Sequence, residues 1–231
     1  MAFELKKSLM RFWHEWLKSL LIIVLVVGGF RSTFADWNDV PSGSMKPTIL
    51  EGDRIVVNKL AYDLKVPFTR WRLVRWSSPQ RGDIAVLFSP ADGKRLVKRV
   101  VGLPGDTLAM IDDRLFVNGE PATYRPLPPL RDLDPATDPL PRILAVEDVG
   151  GATHPVMLTP ALPAMHSFDP IVVPPGSFFV MGDNRAESGD SRYFGFVELD
   201  RIVGRATAVA ASVDPGRHYR PRWHRFFRPL P

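Results

Sequence analysis

Ser44 lies in Pro41-Ser42-Gly43-Ser44-Met45-Lys46-Pro47-Thr48, and one lysine, Lys98, lies in an otherwise apolar stretch, Leu96-Val97-Lys98-Arg99-Val100-Val101. A serine hydroxyl becomes a nucleophile when a base takes its proton, and a lysine serves as that base when burial strips its charge. An unperturbed lysine amine is neutral in only about one molecule in several thousand at pH 7, so a lysine base must be shifted down by several units. Strand alternation puts Leu96, Lys98 and Val100 on one face and Val97, Arg99 and Val101 on the other. Lys98 then has apolar neighbours on its own face, while the Arg99 charge is turned elsewhere. Lys46, Lys59 and Lys94 lie beside turn or polar sequence, and spacing alone does not exclude Lys59.

The serine loop has matching chemistry. Gly43 permits close backbone approach or a positive φ, and Pro41 and Pro47 stiffen the flanks. The Ser44 N–H and the Ser42 hydroxyl can therefore face one developing oxyanion. Taken alone, the same residues also make an ordinary surface turn. The five histidines, His14, His154, His166, His218 and His224, show no metal-ligand spacing, although His154 or His166 is a rival base for a Ser-His-Asp arrangement. No glycine-rich phosphate loop follows a strand, which argues against nucleotide chemistry.

The elements that must position these residues are mostly strands. Residues 54–58, 83–88, 95–101 and 114–117 are short, β-branched or aromatic runs bounded by turn signals. Ala91-Asp92-Gly93 and Asn118-Gly119 read as hairpin connections, and strand signals return at 176–181 and 201–209. The fold expected is mainly β, an antiparallel sheet. Between about Glu120 and Pro175 the chain turns proline-rich, with Pro126, Pro128, Pro129, Pro135, Pro139 and Pro141 closely placed, which makes a regular sheet interior improbable there. This stretch reads as an elaboration hung from the main sheet.

Ahead of the strands, an apolar run from about Leu17 to Phe30 follows Lys6, Lys7, Arg11 and Lys18. The cationic flank keeps the N-terminus in the cytoplasm. The run is shorter than the roughly 20 residues of a usual span, but Phe12, Trp13 and Trp16 supply an interfacial turn and Lys18 can snorkel. A buried soluble helix and a cleaved signal peptide, with Thr33-Phe34-Ala35 as a small-x-small site, are the alternatives. Both membrane readings export everything after Phe30.

The 231 residues, 45% of them hydrophobic, suffice for one substantial domain, and the absence of cysteine excludes a disulfide framework and a thiol nucleophile. The net charge of +5 is concentrated near the two ends, which suits an anionic membrane surface better than a nucleic acid. The tail from Arg217 to Arg228 mixes cations with aromatic rings, as a membrane-surface contact or a solvated end would.

Four segments, in order, resemble the boxes of bacterial signal peptidase I, the membrane-anchored serine protease that removes signal peptides. They are Pro41 to Thr48; Gly52 to Lys59; Arg81-Gly82-Asp83-Ile84 leading to Lys98 to Asp106; and Gly182-Asp183-Asn184-Arg185 through Ser188, Asp190, Ser191 and Arg192. The resemblance implies Ser44 as nucleophile, Lys98 as general base, and Ser42 with the Ser44 N–H as the oxyanion hole. Ser188 falls where the family orients its lysine; Asp183, Arg99, Asp190 and Arg192 fall on bracing charges. Ala186 and Glu187 depart from the commonest form, where Asp and Asn are frequent.

By this resemblance the substrates are preproteins with small side chains before the cut, bound as an extended strand, and no metal or cofactor is needed. Membrane lipid is the other partner, and no nucleic acid is. The organisation implied is a cytoplasmic segment 1–16, a transmembrane anchor 17–35, a catalytic β core of 36–119 and 176–213 on the outer face, the elaboration 120–175, and the tail 214–231. A Ser/Lys peptidase with a narrow substrate set and an inactive β-domain that only binds exported segments are the competing readings.

Overall fold

The computed structural model describes residues 2–69, 71–133 and 140–231, with the side chains of 2–12, 14, 15 and 30–32 left aside. Its architecture is antiparallel β, preceded by one long helix. The central sheet runs, edge to edge, through Ala35–Asp39, Asp53–Asn58, Ile202–Asp214, Ile84–Phe88, Arg95–Gly102, Ser177–Met181 and Val197–Glu198. The short strands Arg220–Pro221 and Arg228–Pro229 also pair with Ile202–Asp214. The hairpin signals hold: Gly93 has φ +70° between the Ile84–Phe88 and Arg95–Gly102 strands, and Asn118 and Gly119, at φ 53° and 85°, join Arg114–Val117 to Glu120–Pro121. Both central residues with positive φ are what a tight hairpin turn requires.

The strand bearing Lys98 is interior. Ala85 stands opposite Lys98 and Ile84 opposite Arg99 on one side, and Met181 stands opposite Arg99 on the other. Three buried clusters flank this strand. Ala85, Leu87, Val100, Val180 and Ile202 form one, Met45, Ile49, Ile55, Val57, Ile84 and Val86 a second, and Val101, Leu108, Met110, Phe179 and Met181 a third. The second cluster includes Met45, directly after Ser44, so the serine loop is fastened to the same sheet that carries the lysine.

The proline-rich stretch is more regular than the sequence led us to expect. Ile143–Val149 and Ala152–Leu158 form a seven-residue antiparallel hairpin turned at Gly150 and Gly151, with Thr123–Pro126 as its third strand. Phe168–Val172 joins a separate sheet with Thr107–Ile111 and Arg114–Val117. The hairpin starts only after Pro141, so the dense prolines precede it; Pro135 and Pro139 lie outside the described residues. The alternation escaped notice because two inward positions, Glu147 and His154, are polar. Ala145, Glu147 and Val149 are buried, with half-buried Val146 and Asp148 between them.

The N-terminal helix is continuous over Ala2–Thr33. Among the described residues, no helix is long and apolar enough to cross a membrane. Every residue of Leu20–Val27 is nevertheless apolar and more than half exposed. The tail is only partly a free end, because Arg225 is buried and binds the Asp53 carboxylate with Nε at 3.1 Å and Nη2 at 2.5 Å. Arg222 Nη1 donates to the carbonyls of Glu51 and Val213 at 2.9 Å each, while Tyr219, Trp223 and Phe227 stay exposed.

Candidate active site

Lys98 Nζ donates to Ser44 Oγ at 2.7 Å, across 54 residues of chain. Lys98 is only 2% exposed. Its burial lowers the amine from the ordinary 10.5 to about 8; the carboxylates of Asp190 and Asp183 oppose that fall, and the Arg192 guanidinium assists it. The cation that bears on Lys98 is thus Arg192, while Arg99 turns its charge to other partners. Lys59, which spacing had left open, is 3.4 Å from Asp36 Oδ2 in an ion pair.

The supporting charges pair two by two. Arg99 grips Asp183 with Nε on Oδ1 and Nη2 on Oδ2, both at 2.8 Å, and Thr48 Oγ1 donates to the same Oδ2. Arg192 grips Asp190 the same way, at 2.8 Å for each prong, and the Gly182 N–H donates to Asp190 Oδ2 at 3.0 Å. Desolvation would raise both carboxyls, but the guanidiniums and hydrogen bonds hold them below the usual range. Both acids are therefore held as anions at neutral pH.

Two of the residues assigned from the sequence are less engaged. Ser188 is buried, and its Oγ has no hydrogen-bond partner of ordinary geometry, Lys98 included, although it lies close enough to Asp190 to favour that carboxylate's ionised form. Ser42 is exposed. Neither its hydroxyl nor the Ser44 N–H has an acceptor among the described residues, so both donors are free. The rival bases are occupied elsewhere: His154 Nε2 is 3.0 Å from Glu147 Oε2, and His166 lies between Asp113 Oδ2, at 2.9 Å, and Leu162 O. Among the described residues, no group of three or more acidic or histidine side chains is placed to hold a metal.

Several residues escaped the sequence reading. Thr48 is in the serine loop itself, and its hydroxyl ties that loop to Asp183. Glu147 is fully buried and takes Arg185 with both oxygens and Tyr124 OH at 2.6 Å. This joins the hairpin of the elaboration to the Gly182–Arg192 segment. The backbone does so too, with Met157 N donating to Asp183 O at 2.8 Å and Arg185 N to Met157 O at 2.9 Å. The signal was available as a glutamate at an inward position of an alternating strand.

A desolvated amine on a serine hydroxyl is an arrangement able to generate a nucleophile with lysine in place of histidine. Residues 13–211 match the signal peptidase family, peptidase S26. Signal peptidase I of Pseudomonas aeruginosa is 36% identical, over 91% of this chain and 77% of that protein, and signal peptidase I of Pseudomonas fluorescens is 35% identical over the same shares. A crystal structure of a signal peptidase I from Enterococcus faecalis is 37% identical, covering 56% of this chain and 97% of that one, with a TM-score of 0.34. The chain belongs to the signal peptidase family, peptidase S26.

Proposed function

We propose that the protein is a membrane-tethered endopeptidase that removes signal peptides from exported preproteins with a Ser44/Lys98 dyad. The observation that carries this reading is the 2.7 Å contact between a buried lysine amine and a serine hydroxyl. With its amine lowered to about 8, Lys98 is neutral in about one molecule in ten at pH 7, against about one in several thousand for a solvated lysine. In that state the hydrogen bond reverses, and the hydroxyl donates to the amine.

The reaction then runs in two halves. Lys98 takes the Ser44 proton as Ser44 Oγ attacks the carbonyl carbon before the cleavage point. The Ser44 N–H and the Ser42 hydroxyl receive the oxyanion. Lys98 returns the proton to the leaving amine, the C–N bond breaks, and an acyl-enzyme remains. A water, deprotonated by the same amine, attacks the ester and restores the serine. In this scheme Ser188 orients Lys98 once the amine is neutral, and Asp183, Arg99, Asp190 and Arg192 brace the loops.

The apolar run Leu20–Val27, exposed on all sides of its helix, supports membrane anchoring, because a helix that is hydrophobic all round requires an apolar cover. Lys6, Lys7, Arg11 and Lys18 ahead of it support a cytoplasmic N-terminus with the β domain on the outer face. Cleavage of a purified preprotein, with mass analysis of both products, tests the function: wild type should cut after a small residue, and Ser44→Ala and Lys98→Met should not. Carbonate-resistant sedimentation with membranes tests the anchor. A soluble chain would remove it.

A further inference from the structure

Asn184 is fully buried between the serine loop and Glu187. Its Nδ2 donates to Gly43 O at 3.1 Å and to Glu187 Oε2 at 2.9 Å, and its backbone N–H donates to Ser44 O at 3.1 Å. The carbonyls on both sides of the Ser44 α-carbon are therefore tied to one residue.

The geometry of the peptide group gives those ties a consequence. A trans peptide is planar, with its C=O and N–H directed oppositely. Gly43 O and Ser44 N belong to the same group, so drawing Gly43 O toward Asn184 turns the Ser44 N–H to the opposite side, where nothing among the described residues accepts it. The tie at Ser44 O fixes the next peptide plane as well. The other bond to Gly43 O, from Lys46 N at 3.0 Å, lies within the same loop and moves with it.

Glu187 determines which way the Asn184 amide faces. If the amide were reversed, Asn184 Oδ1 would meet Gly43 O and the Glu187 carboxylate, which are acceptors without a hydrogen to share. Arg142 Nη2, 3.7 Å from Glu187 Oε2, supports the carboxylate in turn. Glu187 is one of the two positions where this chain departs from the commonest form of its segment.

Granted the Ser44 and Lys98 roles set out above, we propose that Asn184 is a positioning residue that aims the Ser44 N–H at the oxyanion, acting through the Gly43–Ser44 peptide plane, with Glu187 locking the amide that does so. Asn184→Leu keeps the branched side-chain shape and loses the donor. It should lower kcat by about tenfold to a hundredfold, less than the roughly 10²–10³ that loss of an oxyanion donor costs, with KM nearly unchanged.

A purely structural role is separated by two inhibitors. A peptide aldehyde ending in alanine takes Ser44 Oγ on its carbonyl carbon, and the resulting hemiacetal oxygen sits where the oxyanion forms. The matching peptide alcohol forms no such bond. Asn184→Leu should weaken the aldehyde by the same factor as kcat, leave the alcohol's affinity unchanged, and keep the lysine limb of the pH profile in place. Glu187→Ala should give a smaller loss of the same kind, recovered by Glu187→Gln, which keeps an acceptor. A folded Asn184→Leu enzyme with wild-type kcat and aldehyde affinity overturns the proposal, as does equal weakening of aldehyde and alcohol. Should that variant not fold, unchanged kcat and aldehyde affinity in Glu187→Ala overturn it instead. Cleavage by Ser44→Ala in the same series would remove the underlying dyad, and the proposal with it.

Discussion

Arg99 and Asp183 face each other through two parallel N–H···O contacts of 2.8 Å, and neither side chain is more than 1% exposed. Arg99 follows Lys98 on its strand, and Asp183 precedes Asn184, whose N–H reaches Ser44 O, so this pair joins the Lys98 strand to the segment that contacts the Ser44 loop. Removing one partner strands a buried charge, which typically costs about 3–5 kcal/mol. Asp183→Ala should therefore lower the melting temperature sharply. The acid limb of stability has a definite sign: Asp183 and Asp190 are held below their ordinary range, so their contribution is complete above about pH 4 and is lost as pH falls through the folded values. Denaturation curves between pH 2 and 6, each pH about a unit apart, should show wild type losing stability in that window and Asp183→Asn losing less.

Lys98 has a linkage of the same sign in a higher window, but at neutral pH its shift is a cost and not a gain. Its folded amine, near 8, lies below the ordinary 10.5, so the unfolded chain binds more protons between those values and stability rises with pH through that window. Below pH 8 the full cost of burying the charge applies, about 3 kcal/mol for a shift of this size. Lys98→Met should be inactive yet more stable than wild type at pH 7, with the difference shrinking toward pH 10.5. The companion measurement is the rate: wild-type kcat/KM should rise with pH to a plateau above about pH 8. A wild-type profile flat from pH 6 to 9 would contradict the general-base role.

The contact between Ser44 and Lys98 was readable because both residues sit in strong local contexts, a proline-flanked glycine loop and an apolar strand. Strands 54–58, 95–101 and 114–117 were readable for the same reason, since their alternation and turn residues agree. The hairpin 143–158 was not, because Glu147 and His154 occupy its inward face and look like surface residues until the Glu147 partners, Arg185 and Tyr124, are known. Those partners come from distant segments, and no local period encodes them. Ser188 shows the converse limit. Its position in the motif suggested a bond to Lys98, but its hydroxyl lies beside Gly182 with no such bond.

Gly182 lies against both Ser188 and the Ser44 backbone. A Cβ added there would overlap Ser188 Oγ and, more seriously, the backbone carbonyl of Ser44. A side-chain hydroxyl can rotate; a carbonyl in the nucleophile loop moves only with the loop. Gly182→Ala should destabilise by about 1–3 kcal/mol through overpacking. Displacing Ser44 from Lys98 by about an ångström should lower kcat on the order of a hundredfold. Steady-state kinetics beside thermal melts check both, and a variant with near-wild-type kcat would show that the loop tolerates the shift.

Glu147 and Arg185 separate stability from activity. Glu147→Ala leaves Arg185, 2% exposed, without its carboxylate, and should cost about 3–5 kcal/mol, whereas replacing both by apolar residues of similar size typically restores much of that. The double variant Glu147→Leu/Arg185→Met should therefore melt closer to wild type than Glu147→Ala does. Its activity should not recover in step, because the pair joins the hairpin to the segment that contains Asp183, Asn184 and Asp190. Loss of the pair frees that segment even when the core is well packed. Melting temperature and kcat, measured on Glu147→Leu, Arg185→Met and the double, form a cycle in which stability is non-additive and rate is not rescued. Recovery of both together would mean that the pair serves only to fill and neutralise the interior.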